Sequence, residues 1–435
     1  MLDFGVGISV ARLYGKAASQ GSREAQSVLT NSTAVLLVQA GGIIVVGLLL
    51  GTKIGDWFGA EESLHEVAFV MLSAVCVTGA IKQIFRVKEA YLFSQNKFYI
   101  VNWIGAASTW VEFAVLWLFL HNGCGLLSFV ASQVALITVT VFALSIYAKK
   151  NSFRNAFAWK DVKLSRIREI FSYSVSMFVI GVFGQILFVG QPILVGLLHG
   201  LEKTTMYSIN MRCFLLVRNL LSKLGESFMP QWQITMDRGG VKEVGESWLK
   251  TFQFMVALST VSIPALLLFN EKFVAIFGGE GLYLSRGFDA ISALLVLVHL
   301  VVAMLVFPFM LSMKVRKRAL VSVVQGIVAI ILAVIFGKQW GPVGVVSGVV
   351  LGIICTGGIY CLLVAPRQLA LNLGSIVSKV VYPNVAGIFL ATISILLHLM
   401  LDDIFLKTCV GIPICGVGVF WIALIHKERL MKILK

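Results

Sequence analysis

Runs of apolar residues long enough to cross a membrane recur from one end of this chain to the other, and that repetition restricts the fold more than any single motif. A helix rising 1.5 Å per residue needs about 20 such residues to traverse the hydrocarbon of a bilayer. Runs of that kind are read at 30–51, 65–83, 98–120, 125–147, 171–198, 204–229, 249–269, 288–313, 319–336, 343–364, 380–400 and 408–425. They predict about twelve full transmembrane helices. Before them, residues 1–15 begin apolar and are cut off by Arg12 and Lys16, after about 14 residues, which is too short to span. This leading helix fragment reads as the tail of a helix whose beginning is absent from the chain, and no basic segment precedes it as a signal peptide would require.

Composition supports the same class. The chain is 58% hydrophobic and 13% charged, whereas soluble domains average roughly 45–50% apolar and 25% charged residues. A net charge of +15 would invite a nucleic-acid reading if it were clustered. It is instead spread over short loops between apolar runs, so nucleic acid is not expected as a partner. With the first loop cytoplasmic, alternation puts Lys82, Arg86 and Lys88 on that side, then the basic loop from Lys149 to Arg168, Arg238 and Lys242, Lys314 to Arg318, Arg367 and the tail HKERLMKILK. The opposite side receives mainly isolated lysines beside Asp56, Glu61, Glu62, Asp402 and Asp403. This positive-inside pattern supports the segment count and places the C-terminus in the cytoplasm.

The basic loop is also the one substantial interruption. It divides the chain into an N-terminal lobe at 1–147, a basic cytoplasmic linker at 148–170, a C-terminal lobe at 171–365, and two additional helices with a basic tail at 366–435. The expected fold class is an all-α polytopic membrane protein with two helical lobes around a central cavity, the arrangement of transporters built from two bundles about a midplane site.

Within that frame the stretch from Phe171 to Trp232 stands out. It consists of two apolar helices joined by a short polar turn around Gly200 to Thr204, and the second helix carries charge. At about 100° per residue, Ser208, Arg212, Asn219, Lys223 and Glu226 fall within roughly 40° of one line. Charged side chains inside a membrane segment cost a few kcal/mol or more and face a bundle interior or a watery cavity. Arg212 is the foremost candidate for contact with an anionic substrate, since a guanidinium offers paired donors to phosphate; the competing reading pairs it with Glu226. Arg218 lies about 110° from the middle of the stripe and has an equal claim to cavity or elsewhere. Arg12 sits near a helix end, where its side chain can snorkel to the interface.

Other intramembrane polar residues carry paired readings. Glu112 is either a coupling carboxylate or one hydrogen-bonded across helices. Gln185 and Gln191 are uncharged and need partners, and Pro192, Pro264 and Pro308 can bend their helices. Asp289 and His299 on one run suggest a proton relay, with a satisfied histidine and an interfacial aspartate as the stronger alternative. Gly344, Gly348 and Gly352 follow the small-xxx-small pattern of close helix packing. The sequence contains no GxxxxGK[ST], HExxH or GxSxG motif, so no enzyme, cofactor or metal site is expected. The seven cysteines are scattered without a CxxC pair and read as free thiols.

Four segments, LDFGVGISVARLYGKAASQG, the run VGQPILVGLLHGLEKTTMYSINMRCFLLVRNLLSKLGESFMPQW, FVAIFGGEGLYLSRG and RALVSVVQGIVAIILAVIFGKQWGPVGVVSGVVLG, together resemble the lipid-linked oligosaccharide (polysaccharide) flippases of the multidrug/oligosaccharidyl-lipid/polysaccharide exporter superfamily. The resemblance implies fourteen helices in two six-helix lobes plus two, a cationic cavity, and alternating access. The cargo it implies is an undecaprenyl-pyrophosphate-linked oligosaccharide, moved across the bacterial inner membrane for O-antigen, capsule or exopolysaccharide synthesis. Arg12 and Arg212 match basic residues of the family, while Gln191 stands where many relatives have an acid. Arg12, Arg212, Arg218 and Asn219 are thus the expected substrate contacts, and Glu112, Gln185 and Gln191 the expected coupling or polar-cavity residues. Membrane lipids, a polysaccharide polymerase and chain-length machinery are the expected partners. A cation-coupled multidrug antiporter of the same fold is the alternative, and an inactive truncated relic a third reading.

Overall fold

The computed structural model describes Val10, Leu13, Tyr14, Ala17 and residues 21–400, apart from 54–61, 96, 152, 154–156 and 158. Arg12, most of the leading fragment, the 408–425 crossing and the basic tail lie outside the described residues. Among the described residues the secondary structure is helical throughout. The order is α1 (Ser22–Gly51), α2 (Glu62–Ser94), α3 (Phe98–His121), α4 (Leu127–Lys150), α5 (Leu164–Asn210), α6 (Arg212–Glu226), α7 (Met229–Asp237), α8 (Val241–Gly278), α9 (Arg286–Leu311) and α10 (Val315–Ile353). Short α11 (Ile359–Val364) and α12 (Leu373–Ile376) then lead into α13 (Val385–Met400).

Nine helical stretches among the described residues are long and apolar enough to cross a membrane, and the chain is a multi-pass helical membrane protein. Two features separate these stretches from the predicted runs. The stretch Val315–Leu369 is 55 residues long, about 80 Å of helix and far more than one crossing needs. It holds both the 319–336 and 343–364 runs, because the connection at Trp340 and Gly341 is a dihedral break rather than a loop, with Gly341 at φ 62°. The 204–229 run is split: its start belongs to the stretch Ser174–Asn210, and the helix that follows, Arg212–Glu226, has only 15 residues, too short by itself to span. The helical path carries across Met211, where the Met211 amide donates to Tyr207 O and the Leu215 amide to Met211 O, both at 3.0 Å, and ends at Glu226.

The chain divides into two compact units, residues 1–178 and 179–435, with the division inside α5. In unit 1, α1 pairs with α2 and α3 with α4. Gln83 Nε2 donates to Gln39 Oε1 at 2.9 Å across the first pair, and a Cβ at Gly47 would overlap Cys76 there. Thr140 Oγ1 donates to Ser108 Oγ at 2.9 Å across the second. Val28, Leu29, Leu36, Val87, Leu92, Leu144 and Ile170 form the buried core. Trp103, Trp110 and Trp117, seven residues apart, are exposed on the outward face of α3, as a lipid-facing helix surface allows. The basic linker is anchored to this unit. The Lys163 amide donates to Asn31 Oδ1 at 2.7 Å, Arg166 pairs with Glu24, and Tyr91 donates to Asn151 O at 2.6 Å.

In unit 2 two helical hairpins organise the packing. Gly200, with φ 83° and ψ 176°, interrupts α5, so the break falls there and not at Pro192. The chain turns back on itself, bringing Tyr207 of the second leg against Gln191 of the first. The second hairpin is α10 itself. A Cβ at Gly344 would overlap Phe336 O, one at Gly348 would overlap Ala333 N, and one at Gly352 would overlap Ala329 Cα. The small-xxx-small repeat is therefore the seam of an antiparallel hairpin whose backbones touch. Helices α8 and α9 pack beside these around Trp248, Leu249, Met255, Phe288 and Phe309, all less than 2% exposed. Trp248 Nε1 donates to Met304 O at 3.0 Å, which satisfies its one polar atom inside the core.

Candidate functional site

The helix from Leu201 through α6 buries one face and leaves the other open. Tyr207, Met211, Phe214 and Leu221 are buried against unit 2, and Gly225 sits within van der Waals reach of Met304 and Phe307. Arg212, Asn219, Lys223 and Glu226 of the predicted stripe are exposed. Glu226 pairs with Lys223 at 2.6 Å, so it is not the partner of Arg212. Arg212 has no ion pair among the described residues.

Arg218 is the better-built cation. It is half-buried, and its Cζ lies 3.9 Å from the centre of the Phe188 ring, contributed by the first leg of the α5 hairpin. A guanidinium held over an aromatic face is attracted to it and keeps its edge free to donate. Its Nε and Nη2 donate to Asn219 Oδ1 at 3.3 and 2.8 Å. Its Nη1 is buried and has no hydrogen-bond partner. One turn further, the buried Oγ of Ser222 also lacks a partner. Leaving such atoms unmade costs about 1–3 kcal/mol each, so an incoming oxyanion could satisfy them here. The Phe188 ring also meets the His299 ring of α9 edge to face, with centroids 4.6 Å apart.

The remaining sequence candidates separate into distinct surroundings. Gln185 is half-buried on α5, three residues before Phe188 and hence on the same face. Gln191 is 1% exposed; its amide donates to Leu187 O, and its carbonyl accepts from the Tyr207 hydroxyl at 2.6 Å. That satisfied pair staples the two legs of the hairpin and leaves Gln191 little capacity for a ligand. Glu112 belongs to unit 1, where it is half-buried and accepts from Gln133 Nε2 of α4 at 2.5 Å. Arg12 lies outside the described residues. Asp289 and His299 do not form a relay, because ten residues of α9 separate them by about 15 Å and each has other partners. Sequence reasoning missed Phe188, whose apolar neighbours gave no sign that it supports a cation.

Among the described residues no group of histidine, cysteine and acidic side chains is placed to hold a metal ion.

No family model matches this sequence, and no curated protein matches it. Solved structures do. A MATE crystal structure in the bent conformation superposes with a TM-score of 0.70 at 14% identity, covering 85% of this chain and 84% of that one. An outward-facing multidrug resistance MATE family transporter of the MOP superfamily gives 0.66 at 12% identity, over 85% and 84%. A MOP superfamily transporter from Pyrococcus furiosus, described as having a binding pocket of reversed polarity, gives 0.64 at 12% identity, over 91% and 85%. The chain is similar to these proteins in fold, and at these identities the likeness establishes the fold alone.

Proposed function

We propose that this fold serves a membrane transporter, and that its cargo is a lipid-linked oligosaccharide carried on undecaprenyl pyrophosphate, moved by alternating access across the bacterial cytoplasmic membrane for surface-polysaccharide synthesis. The observation that carries the reading is Arg218, a half-buried guanidinium on an aromatic platform with one nitrogen unpartnered and no carboxylate beside it among the described residues. A cation so placed suits a diphosphate, with Asn219 setting its orientation and Arg212 adding exposed positive charge nearby on the same helix. A polysaccharide polymerase and chain-length machinery are the partners this role calls for.

The test is rescue of surface polysaccharide in a strain blocked in lipid-linked glycan export. Arg218→Ala should lower rescue at least about tenfold at unchanged membrane level, the scale of a lost charge-assisted bond, while Arg212→Ala should lower it less. Full rescue by Arg218→Ala would overturn the assignment of that residue.

A second reading, a cation-coupled multidrug antiporter, draws on the half-buried Glu112 of unit 1 and its bond to Gln133. Overexpression separates the two, because an antiporter raises drug resistance and a flippase leaves it unchanged.

A further inference from the structure

In unit 1 a cation without a counter-charge sits between α2 and α4. The two helices pack together and, being two crossings apart in the chain, run in the same direction. Near their C-terminal ends Lys88 Nζ donates to Ser145 Oγ at 2.9 Å and stands 4.4 Å from the centre of the Phe85 ring, three residues earlier on its own helix. Ser145 donates its own hydroxyl hydrogen to Val141 O at 2.6 Å, so its role is to aim the ammonium. Both side chains are half-buried. An ammonium has three N–H donors, and Ser145 takes one. Lys88 has no ion pair among the described residues; its sequence neighbour Glu89 pairs with Arg86 at 3.1 Å. Lys149, four residues beyond Ser145 and hence on the same face of α4, is exposed and adds a second positive charge.

Away from this charged end the groove is apolar. On α2 the face of Lys88 continues through Ile81 and Val77, which are 36% and 41% exposed. On α4 the face of Ser145 continues through Phe142, Thr138 and Val134. Phe142 and Val134 are 68% and 49% exposed, and Thr138 spends its hydroxyl on Val134 O at 2.7 Å. Eleven residues separate Lys88 from Val77 and Ser145 from Val134, about 16 Å of helix, which is the depth of one leaflet in a hydrocarbon core about 30 Å thick. Apolar exposure alone is what any lipid-facing helix shows. The positioned cation at its end is what selects a headgroup.

We propose that the α2–α4 groove binds one anionic phospholipid, its phosphate held by Lys88 and Lys149 and its acyl chains lying along Val77, Ile81, Phe142 and Val134. The positive-inside reading makes this a lipid of the cytoplasmic leaflet, where basic pockets between helices take anionic headgroups. A free phosphate would use the same lysines and none of the apolar strip. The groove draws on none of the residues around Arg218 and does not depend on the identity of the cargo.

Native mass spectrometry of the delipidated full chain in detergent tests the groove, with dioleoylphosphatidylglycerol and dioleoylphosphatidylcholine as probes. The first phosphatidylglycerol should bind at least about tenfold more tightly than the first phosphatidylcholine, and Lys88→Ala should weaken that step about fivefold, the scale of one lysine at an anionic surface. Lys88→Arg should preserve it, and Lys338→Ala, at an exposed lysine of unit 2, should leave it unchanged. Ile81→Trp fills the strip at an exposed position with every charge in place and should weaken the same step, which carries the test if Lys88→Ala does not fold. Excess inorganic phosphate should not displace the lipid. Equal affinity for the two lipids, or unchanged binding in Lys88→Ala or in Ile81→Trp, would overturn the proposal. So would displacement by phosphate, which would mean a free-anion site, or tighter binding of undecaprenyl phosphate, which would make the groove part of the cargo path.

Discussion

Arg212 and Arg218 stand six residues apart on one helix, yet their surroundings differ. Arg212 is exposed, where a single ionic contact is screened and worth little. Arg218 is held in place by Phe188 and Asn219, so less side-chain entropy remains to be lost on binding. Phe188→Leu should therefore impair export by about two- to thirtyfold, reflecting a cation–π contact worth about 0.5–2 kcal/mol, with unchanged membrane level in the rescue assay. Gln191 makes the opposite case. Tyr207→Phe leaves its carbonyl unsatisfied in a buried site and should cost about 1–3 kcal/mol, read as a lower melting midpoint of the detergent-solubilised protein.

At the scale of elements, hairpins with almost no loop account for much of unit 2. In α10 the two legs touch through Gly344, Gly348 and Gly352, and a side chain at any of them meets backbone that cannot move aside. Gly348→Val should abolish a monodisperse peak in size-exclusion chromatography. Gly184→Ala, on α5 where a Cβ would meet nothing within 4 Å, should leave that profile unchanged. The turn at Gly200 follows the same logic through its φ of 83°, which side-chain-bearing residues rarely adopt. The prolines of α5, α8 and α9 sit inside helices without interrupting their dihedrals.

For the whole molecule, the distribution of lysine and arginine predicts an orientation that labelling can check. In a background free of native cysteines, Lys160→Cys in the basic linker should react with an impermeant thiol reagent only from the cytoplasmic side, and Glu280→Cys between α8 and α9 only from outside. Both positions are exposed. The reverse pattern would invert the topology, and labelling of both from one side would mean a miscounted crossing.

Apolar run length alone determined the helical, multi-pass class and most segment positions, because a backbone in hydrocarbon must satisfy its own hydrogen bonds and helices do so locally. The break near Gly200 and the Gly344 seam were also legible, since both depend on residues adjacent in sequence. The division within α5 and the burial of Gln191 were not. Neither was the platform under Arg218, nor the meeting of Lys88 with Ser145 across 57 residues. Angular position on a single helix favoured Arg212 over Arg218, but which side a helix turns toward its neighbours depends on how distant segments fill space together. Only the tertiary structure decided that, because partner identity is a property of packing and not of local pattern.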